Sequence, residues 1–507
     1  MKTSKKIIII GAGPGGLSAG MLLAHRGFEV EIFEKENQVG GRNAAIKMDG
    51  FSFDIGPTFL MMKFILDELF EESGRKSENY LKFMRLDPMY RLCFTDGSVE
   101  MRDDHARMRA IISEKFPGNE AGYDTFFQKE KVRYDCMYPC LQKSYGKFRT
   151  YFHPDFLRAL PRLSLTNSMF RELGKYFSND QLKICFTFQS KYLGMSPWNC
   201  PAAFMIIPFI EHSQGIYHVM GGLSEISVAM AKVVEEEGGK IHLNAPVKQL
   251  VVKQGRVTGV LLASGENVEA DEVIINADFS YAMTGLVEQG TLKKYSRQKL
   301  DHKLFSCSTY MLYLGVDKTY DLPHHSIVFS RDYNKYINDV ANYREVGDDL
   351  SIYIRNASVT DPTIAPKGMS NIYILVPVAN NRSGIKWSEK KEFRNNVLNI
   401  LKQRTALSDL DKHIVVEKII TPEDWEAKYN VFIGATFNLG HTLMQMLYFR
   451  PHNKFEELDN CWLVGGGTHP GSGLPTIYES GRITANLLSL AHGVVFDSKN
   501  VHAGLRE

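Results

Sequence analysis

Residues 5–36, KKIIIIGAGPGGLSAGMLLAHRGFEVEIFEKE, decide how the rest of the chain is read. Ile7 to Ile10 form an uncharged β-branched run, the pattern of a strand buried in a parallel sheet. Gly11-x-Gly13-x-x-Gly16 follows, with Pro14 and Gly15 inside the turn, then a helical pattern (Leu17, Met21, Leu22, Leu23) and a second strand, Glu29 to Phe33. Gly11 permits the tight turn out of the strand, Gly13 lets backbone approach a pyrophosphate, and Gly16 lets the helix pack closely on the sheet. The helix start then offers unpaired N–H groups and a positive dipole end to phosphates. Glu34, with Lys35 beside it, closes the second strand 18 residues after Gly16, where a carboxylate can accept hydrogen bonds from ribose hydroxyls. The spacing predicts a dinucleotide site, either FAD or a nicotinamide.

Gly40-Gly41-Arg42 comes just after Glu34. In flavoproteins with two domains, a glycine pair and a basic side chain at this place run along the FAD diphosphate. That likeness favours FAD.

At 507 residues the chain exceeds one hydrophobic core, so two or more domains are expected. With 60 basic and 58 acidic residues, net charge +2 gives no global attraction to nucleic acid. No stretch approaches the roughly eighteen uninterrupted apolar residues of a spanning helix. The lysines at 2, 5 and 6 precede a strand and not a signal-peptide core, so no cleaved leader is expected. Seven scattered cysteines at positions 93, 136, 140, 185, 200, 307 and 461 match neither a metal site nor a disulfide framework, and read as reduced thiols of a cytoplasmic protein.

Further along, residues 43–54 read as a hairpin around Met48-Asp49-Gly50, ending in the rigid turn Asp54-Ile55-Gly56-Pro57-Thr58. Residues 60–70 read as an amphipathic helix, 90–101 as a hairpin, and 103–191 as mostly helical. Residues 141–175 carry seven basic side chains against two acids, interleaved with Tyr145, Phe148, Phe152, Leu157 and Leu160. This suits an interfacial helix or helical hairpin on an anionic membrane; charge alone favours an amphipathic helix packed on its own domain, and a lipophilic substrate would reverse that order. A helix is expected over 224–237 and strands over 240–243, 247–252, 257–262 and 269–276, the last running into Asn276-Ala277-Asp278. Residues 285–450 alternate strands (310–316, 351–355, 372–378) with a charged helix at 389–405. A short strand at 462–464 then leads into glycine-rich 465–473 and a helix, whose start can face an anion or the electron-rich edge of a flavin.

These motifs together resemble the bacterial-type phytoene desaturases, FAD-dependent enzymes of the amine-oxidase-like group. The specific matches are Thr421-Pro422-Glu423-Asp424-Trp425 with Tyr429, Gln445 with Phe449-Arg450-Pro451, and Gly467-Thr468-His469-Pro470-Gly471-x-Gly473-x-Pro475. The resemblance covers nearly the whole chain. It implies an α/β flavoprotein: a Rossmann-like FAD-binding domain in segments 1–85, 210–290 and 455–507, interleaved with a mixed-sheet and helical substrate domain in 86–209 and 291–454. It further implies FAD held by Gly11, Gly13, Pro14, Gly15, Gly16, Glu34, Lys35, Gly41, Arg42, Gly56, Pro57, Thr58, Val247, Asp278, Gly467, Gly473, Leu474 and Pro475. Thr468 and His469 would meet the isoalloxazine, with His469 the one candidate catalytic residue and no metal required. Arg42 and Arg450 would make phosphate or structural contacts. The sequence departs from the family at Phe437-Asn438-Leu439-Gly440-His441 and at Tyr478-Glu479, both expected near the flavin or substrate tunnel.

The activity implied is desaturation of a long polyisoprenoid such as phytoene or diapophytoene, with hydride passing to FAD and oxygen or a quinone as electron acceptor. The enzyme would be a peripheral membrane protein on the cytoplasmic side. A carotenoid isomerase or oxidase, a polyene saturase, and a soluble amine oxidase remain as alternatives.

Overall fold

The computed structural model describes residues 5–164 and 166–497. The ends of the expected cofactor segments (1–4 and 498–507) and Leu165 in the basic stretch lie outside the described residues.

The isoleucine run forms strand Lys6–Ile10, at the centre of a five-stranded parallel sheet. Its neighbours are Glu29–Phe33 and then Lys240–His242 on one side, Glu272–Ile275 and then Cys461–Leu463 on the other. The alternation of side chains splits the run between two cores. Ile7 and Ile9 pack with the helices, and Ile8 and Ile10 pack with Leu250, Val257 and Val260. Each buried isoleucine contributes about 2 kcal/mol relative to exposure, an upper bound because denatured chains already bury part of this surface. Helix Pro14–His25 packs between helices Ser224–Glu236 and Leu474–Ala491 on the first face. An antiparallel sheet of Val247–Lys253, Arg256–Leu262 and Asn267–Glu269 covers the other.

The strand expected over 269–276 is two strands in two sheets. Asp271 interrupts it by bonding the Lys5 ammonium and the Lys6 N–H, both at 2.8 Å, so the chain changes sheets there.

A seven-stranded mixed sheet forms the second layer, in the order Ile414–Ile420, Ser308–Val316, Ser370–Val378, Ile352–Asn356, His325–Val328, Tyr90–Cys93 and Ser98–Met101. Three of these strands match expected ones to within two residues, and Tyr90–Cys93 with Ser98–Met101 is the hairpin expected over 90–101; His325–Val328 and Ile414–Ile420 were not expected. The hairpin Ala45–Met48 and Phe51–Asp54 forms as expected, with both Asp49 and Gly50 at positive φ, the geometry that suits a two-residue turn. Helices His105–Lys115 and Glu120–Leu141 fill the first half of the region read as helical. Beyond residue 141 only short pieces form, including Phe148–Phe152, Pro154–Ala159 and Leu160–Arg162, as prolines and glycines interrupt the pattern. The stretch 141–175 is therefore neither one long helix nor a helical hairpin. Among the described residues no helix is long and apolar enough to cross a membrane, and all seven cysteines are free thiols.

Candidate active site

The first glycine turn is built by close approach. Gly11 has φ of 96°, and a Cβ there would meet the Asn276 carbonyl oxygen at 2.5 Å. At Gly16 a Cβ would lie 2.5 Å from the Gly11 oxygen, so helix 14–25 can start here only with glycine. The Asn276 amide donates to the carbonyls of Gly11 (2.8 Å) and Gly13 (3.2 Å), pinning the turn from the neighbouring strand. Gly13 caps the helix without any side-chain acceptor, leaving the first-turn N–H groups open to an anion.

Glu34 is buried at the end of the second strand. Its carboxylate accepts from the Ala12 N–H at 2.7 Å and the Glu36 N–H at 3.0 Å, and burial pushes its pKa up. A carboxylate has about four acceptor positions, so two remain for hydroxyls. The Lys35 side chain turns away, donating to the Lys428 carbonyl at 2.8 Å. Val247 opens its strand two residues after Ala245, whose N–H donates to the Glu34 carbonyl at 2.8 Å.

The C-terminal motif reaches this turn. A Cβ on Gly15 would stand 3.2 Å from the Gly465 nitrogen, and one on Gly467 would stand 2.5 Å from the Phe279 Cβ. Asp278, just before Phe279, caps the next helix and stands beside Arg42. The Asn438 amide, in the orientation that satisfies both neighbours, donates to Asp278 at 2.5 Å and accepts from Arg42 at 3.2 Å. Arg42 also donates to the Thr436 carbonyl at 2.8 Å; burial lowers its pKa while Asp278 opposes the shift. Gly56 lies against the Arg42 backbone, where a Cβ would meet its oxygen at 2.8 Å.

The Gly56-Pro57-Thr58 turn is clamped by three tyrosines of the mixed sheet. Tyr313 donates to the Ile55 carbonyl at 2.7 Å, Tyr373 to the Gly56 carbonyl at 3.0 Å, and Tyr353 to the Thr58 hydroxyl at 2.7 Å. Beneath it, buried Arg355 pairs with Asp54 at 2.8 Å and with His324 and His218, both at 3.2 Å. His218 in turn bonds Asp361 at 2.8 Å. His218 therefore ties its strand, Tyr217–Val219, to Arg355 of the mixed sheet and to Asp361.

A cavity of about 430 Å³ runs between the layers. Arg42, Gly56–Thr58, Thr436–Asn438 and Pro470–Ile477 form one part of its wall. The rest is mostly apolar, with Phe59, Met62, Phe188, Ile206, Ile337 and Leu375 among its residues. Among the described residues no aspartate or glutamate lines it.

Two expectations need correction. His469 and Thr468 are not in the cavity wall, which begins at Pro470. His469 donates from Nε2 to the Lys143 carbonyl at 2.7 Å and packs edge-on against Tyr145, and burial holds its pKa down to about 3. Its position suits holding the loop and not proton transfer. Tyr478 and Glu479 also face away, because the helix turns Thr476 and Ile477 to the cavity and Glu479 to Arg482 at 3.0 Å. His441 does line the cavity, accepting from the Ser472 N–H at 3.2 Å, and burial holds its pKa well below the usual imidazole range.

The other motif residues hold backbone. Thr421 and Asp424 form a capping box that sets Trp425, whose indole N–H donates to the Thr309 hydroxyl at 3.0 Å on the cavity wall. Gln445 pins Leu304 and Gly440. Arg450 is fully buried and donates to the carbonyls of Gly466 (2.6 Å) and Thr468 (3.0 Å); with no carboxylate bonded to it, its pKa falls to about 9. These bonds hold the backbone of the glycine-rich loop, a structural contact. Lys191 on the cavity wall and Asn276 at the turn were not recognised from sequence as site residues.

Residues 14–489 match the family model of flavin-containing amine oxidoreductases. The chain is 52% identical over 497 residues to a 4,4'-diapophytoene desaturase (4,4'-diapolycopene-forming) of a Methylomonas species, covering 98% of this chain and 97% of the relative. It is 36% identical to the zeta-carotene-forming phytoene desaturase of Myxococcus xanthus, covering 96% and 95%. Among solved structures it superposes on a putrescine oxidase with putrescine bound at a TM-score of 0.61 and 15% identity, covering 97% and 100%; that likeness concerns the fold. The chain belongs to the flavin-containing amine oxidoreductases, in the group of bacterial-type phytoene desaturases.

Proposed function

We propose that this protein is an FAD-dependent desaturase of a long polyisoprenoid hydrocarbon of the diapophytoene kind. The observation that carries the reading is the apolar cavity whose wall includes the Gly471–Gly473 turn, the helix start at Leu474, and Arg42 with Gly56–Thr58. The residues fit the cofactor. Two glycine-capped helix starts without side-chain caps, a half-buried arginine and a strand-end carboxylate with spare acceptor positions suit a diphosphate and a ribose.

Bound there, FAD supplies the two-electron acceptor needed to take a hydride from a carbon with no polar handle. The chain's own residues do the rest. The glycine turns and Arg42 hold the diphosphate. Val247 and Glu34 take the adenosine end, and Asp278, Gly467, Gly473, Leu474 and Pro475 surround the remainder. The apolar wall excludes water and aligns the hydrocarbon. An amine substrate fits poorly, since its cation would meet the Arg42 guanidinium and, among the described lining residues, no carboxylate.

We further infer docking on a membrane surface. Phe148, Phe152, Leu157 and Leu160 are exposed, as are Leu443, Met444, Tyr448 and Phe449 of a second segment. The Tyr448 N–H donates to the Tyr151 hydroxyl at 2.7 Å, so the two segments form one patch. Leu141 and Met446, beside these segments in the chain, line the cavity. A hydrocarbon entering from a bilayer would cross little water on this route. Oxygen or a membrane quinone would then accept the electrons.

Co-expression with a C30 or C40 precursor pathway in a pigment-free bacterium tests the activity. Products lighter by two hydrogens per step with red-shifted absorption support desaturation; unchanged mass with a new isomer pattern would replace it by isomerisation.

A further inference from the structure

Lys191 is a charged residue type on a hydrocarbon wall. It sits in the 3-10-helical segment Phe188–Leu193 and lines the same cavity as Gly471–Ile477. Among the described residues its amine has no hydrogen-bond acceptor or carboxylate; it stands over the rings of Phe329 at 5.2 Å and Tyr333 at 4.8 Å. The thiol of Cys307 is the one ionisable group that acts on its charge, and burial holds that thiol protonated, its pKa pushed up to about 12. The remaining wall offers Arg42, Tyr353, Tyr373 and His441 and no acid. Burial lowers the Lys191 pKa to about 7, so much of the amine is neutral at physiological pH. A pure hydrocarbon gives such a group nothing to bind. A neutral, desolvated lysine amine is a nucleophile toward carbonyl carbon.

We propose that the cavity also takes polyene chains ending in an aldehyde, and that Lys191 holds them as an imine. The inference rests on the polyene reading of the cavity but needs no desaturation. The amine lone pair attacks the aldehyde carbon, forming the C–N bond. Both amine protons pass to the carbonyl oxygen, the C–O bond breaks, and water leaves as C=N forms. No electrons are gained or lost. When the imine is protonated, Phe329 and Tyr333 stabilise its cation, which is conjugated with the polyene.

The test incubates the FAD-loaded protein with all-trans-retinal, reduces with borohydride and maps the adduct by mass. The expected result is retinal, less water and plus two hydrogens, on the peptide carrying Lys191, with the yield lowered by excess squalene. Lys191→Met and Lys191→Arg both lose this adduct while retaining bound FAD, and the second keeps the charge without forming an imine. An adduct confined to surface lysines, or the same yield in Lys191→Met, overturns the proposal. If the protein desaturates a hydrocarbon yet gives no Lys191 adduct, this inference fails and the desaturase reading stands. An adduct without desaturation supports this inference and removes the other.

Discussion

Gly481→Ala tests whether packing between two helices sets the cofactor site. Gly481 lies in helix Leu474–Ala491, against the first turn of helix Pro14–His25. A Cβ there would meet the Gly15 carbonyl oxygen at 2.7 Å and the Ala19 nitrogen at 3.0 Å, and would overlap the Ser18 hydroxyl. The hydroxyl can rotate away, losing its 3.0 Å bond to the Gly15 carbonyl at a cost of about 1 kcal/mol. The two backbone atoms cannot move alone, and overpacking of this kind costs about 1–3 kcal/mol. Alanine's helix preference over glycine returns about 1 kcal/mol. The net is about 2 kcal/mol, and sliding the first helix to relieve it withdraws the N–H groups of Gly13, Gly15 and Gly16 from the diphosphate. If that cost falls on cofactor binding, FAD affinity drops roughly thirtyfold. Titration of apoprotein with FAD, followed by flavin fluorescence, measures it. Ser18→Ala combined with Gly481→Ala recovers only the hydroxyl's share. Wild-type FAD affinity in Gly481→Ala, with an unchanged urea midpoint, would refute the reasoning.

Arg355→Leu leaves Asp54 buried without its cation, and breaking such a pair costs about 3–5 kcal/mol, read as a lower urea midpoint; adding Asp54→Asn restores part of it. Burial pushes the Glu479 pKa to about 7, against the attraction of Arg482, so the folded chain holds a proton that the unfolded chain releases. That contribution is complete below the ordinary carboxylate range and is lost as pH rises toward 7. Glu479→Gln should therefore lose less stability than wild type between about pH 5 and about pH 8, measured by urea midpoints. Replacing Phe148, Phe152 and Met444 together by serine should weaken co-sedimentation with anionic lipid vesicles while bound FAD is retained, because these side chains are exposed in the wild type and bear little on the core.

What could be read from sequence was local. Ile7–Ile10, the glycine spacing and Glu34 each announce a strand, a turn and a strand end through short-range periodicity and backbone freedom. What could not be read depends on partners hundreds of residues away. Asn276 was visible as a small polar strand end, but not its grip on Gly11 and Gly13. Lys191 looked like any lysine in a helical stretch, because nothing nearby in sequence says that the residue lines a cavity. His469 was drawn to the flavin by its motif, whereas its ring is turned toward Lys143. Tyr313, Tyr353 and Tyr373 sit on three separate strands, and their common target, the 55–58 turn, exists only once the layers meet.

The central claim, desaturation by a flavin in this cavity, is tested most directly without oxygen. The FAD-loaded protein is mixed anaerobically with 4,4'-diapophytoene in lipid vesicles, and flavin absorbance and product mass are followed together. The account predicts bleaching of the flavin in step with a product two hydrogens lighter. An oxidised flavin and unaltered substrate, in protein whose FAD dithionite can still reduce, would contradict it.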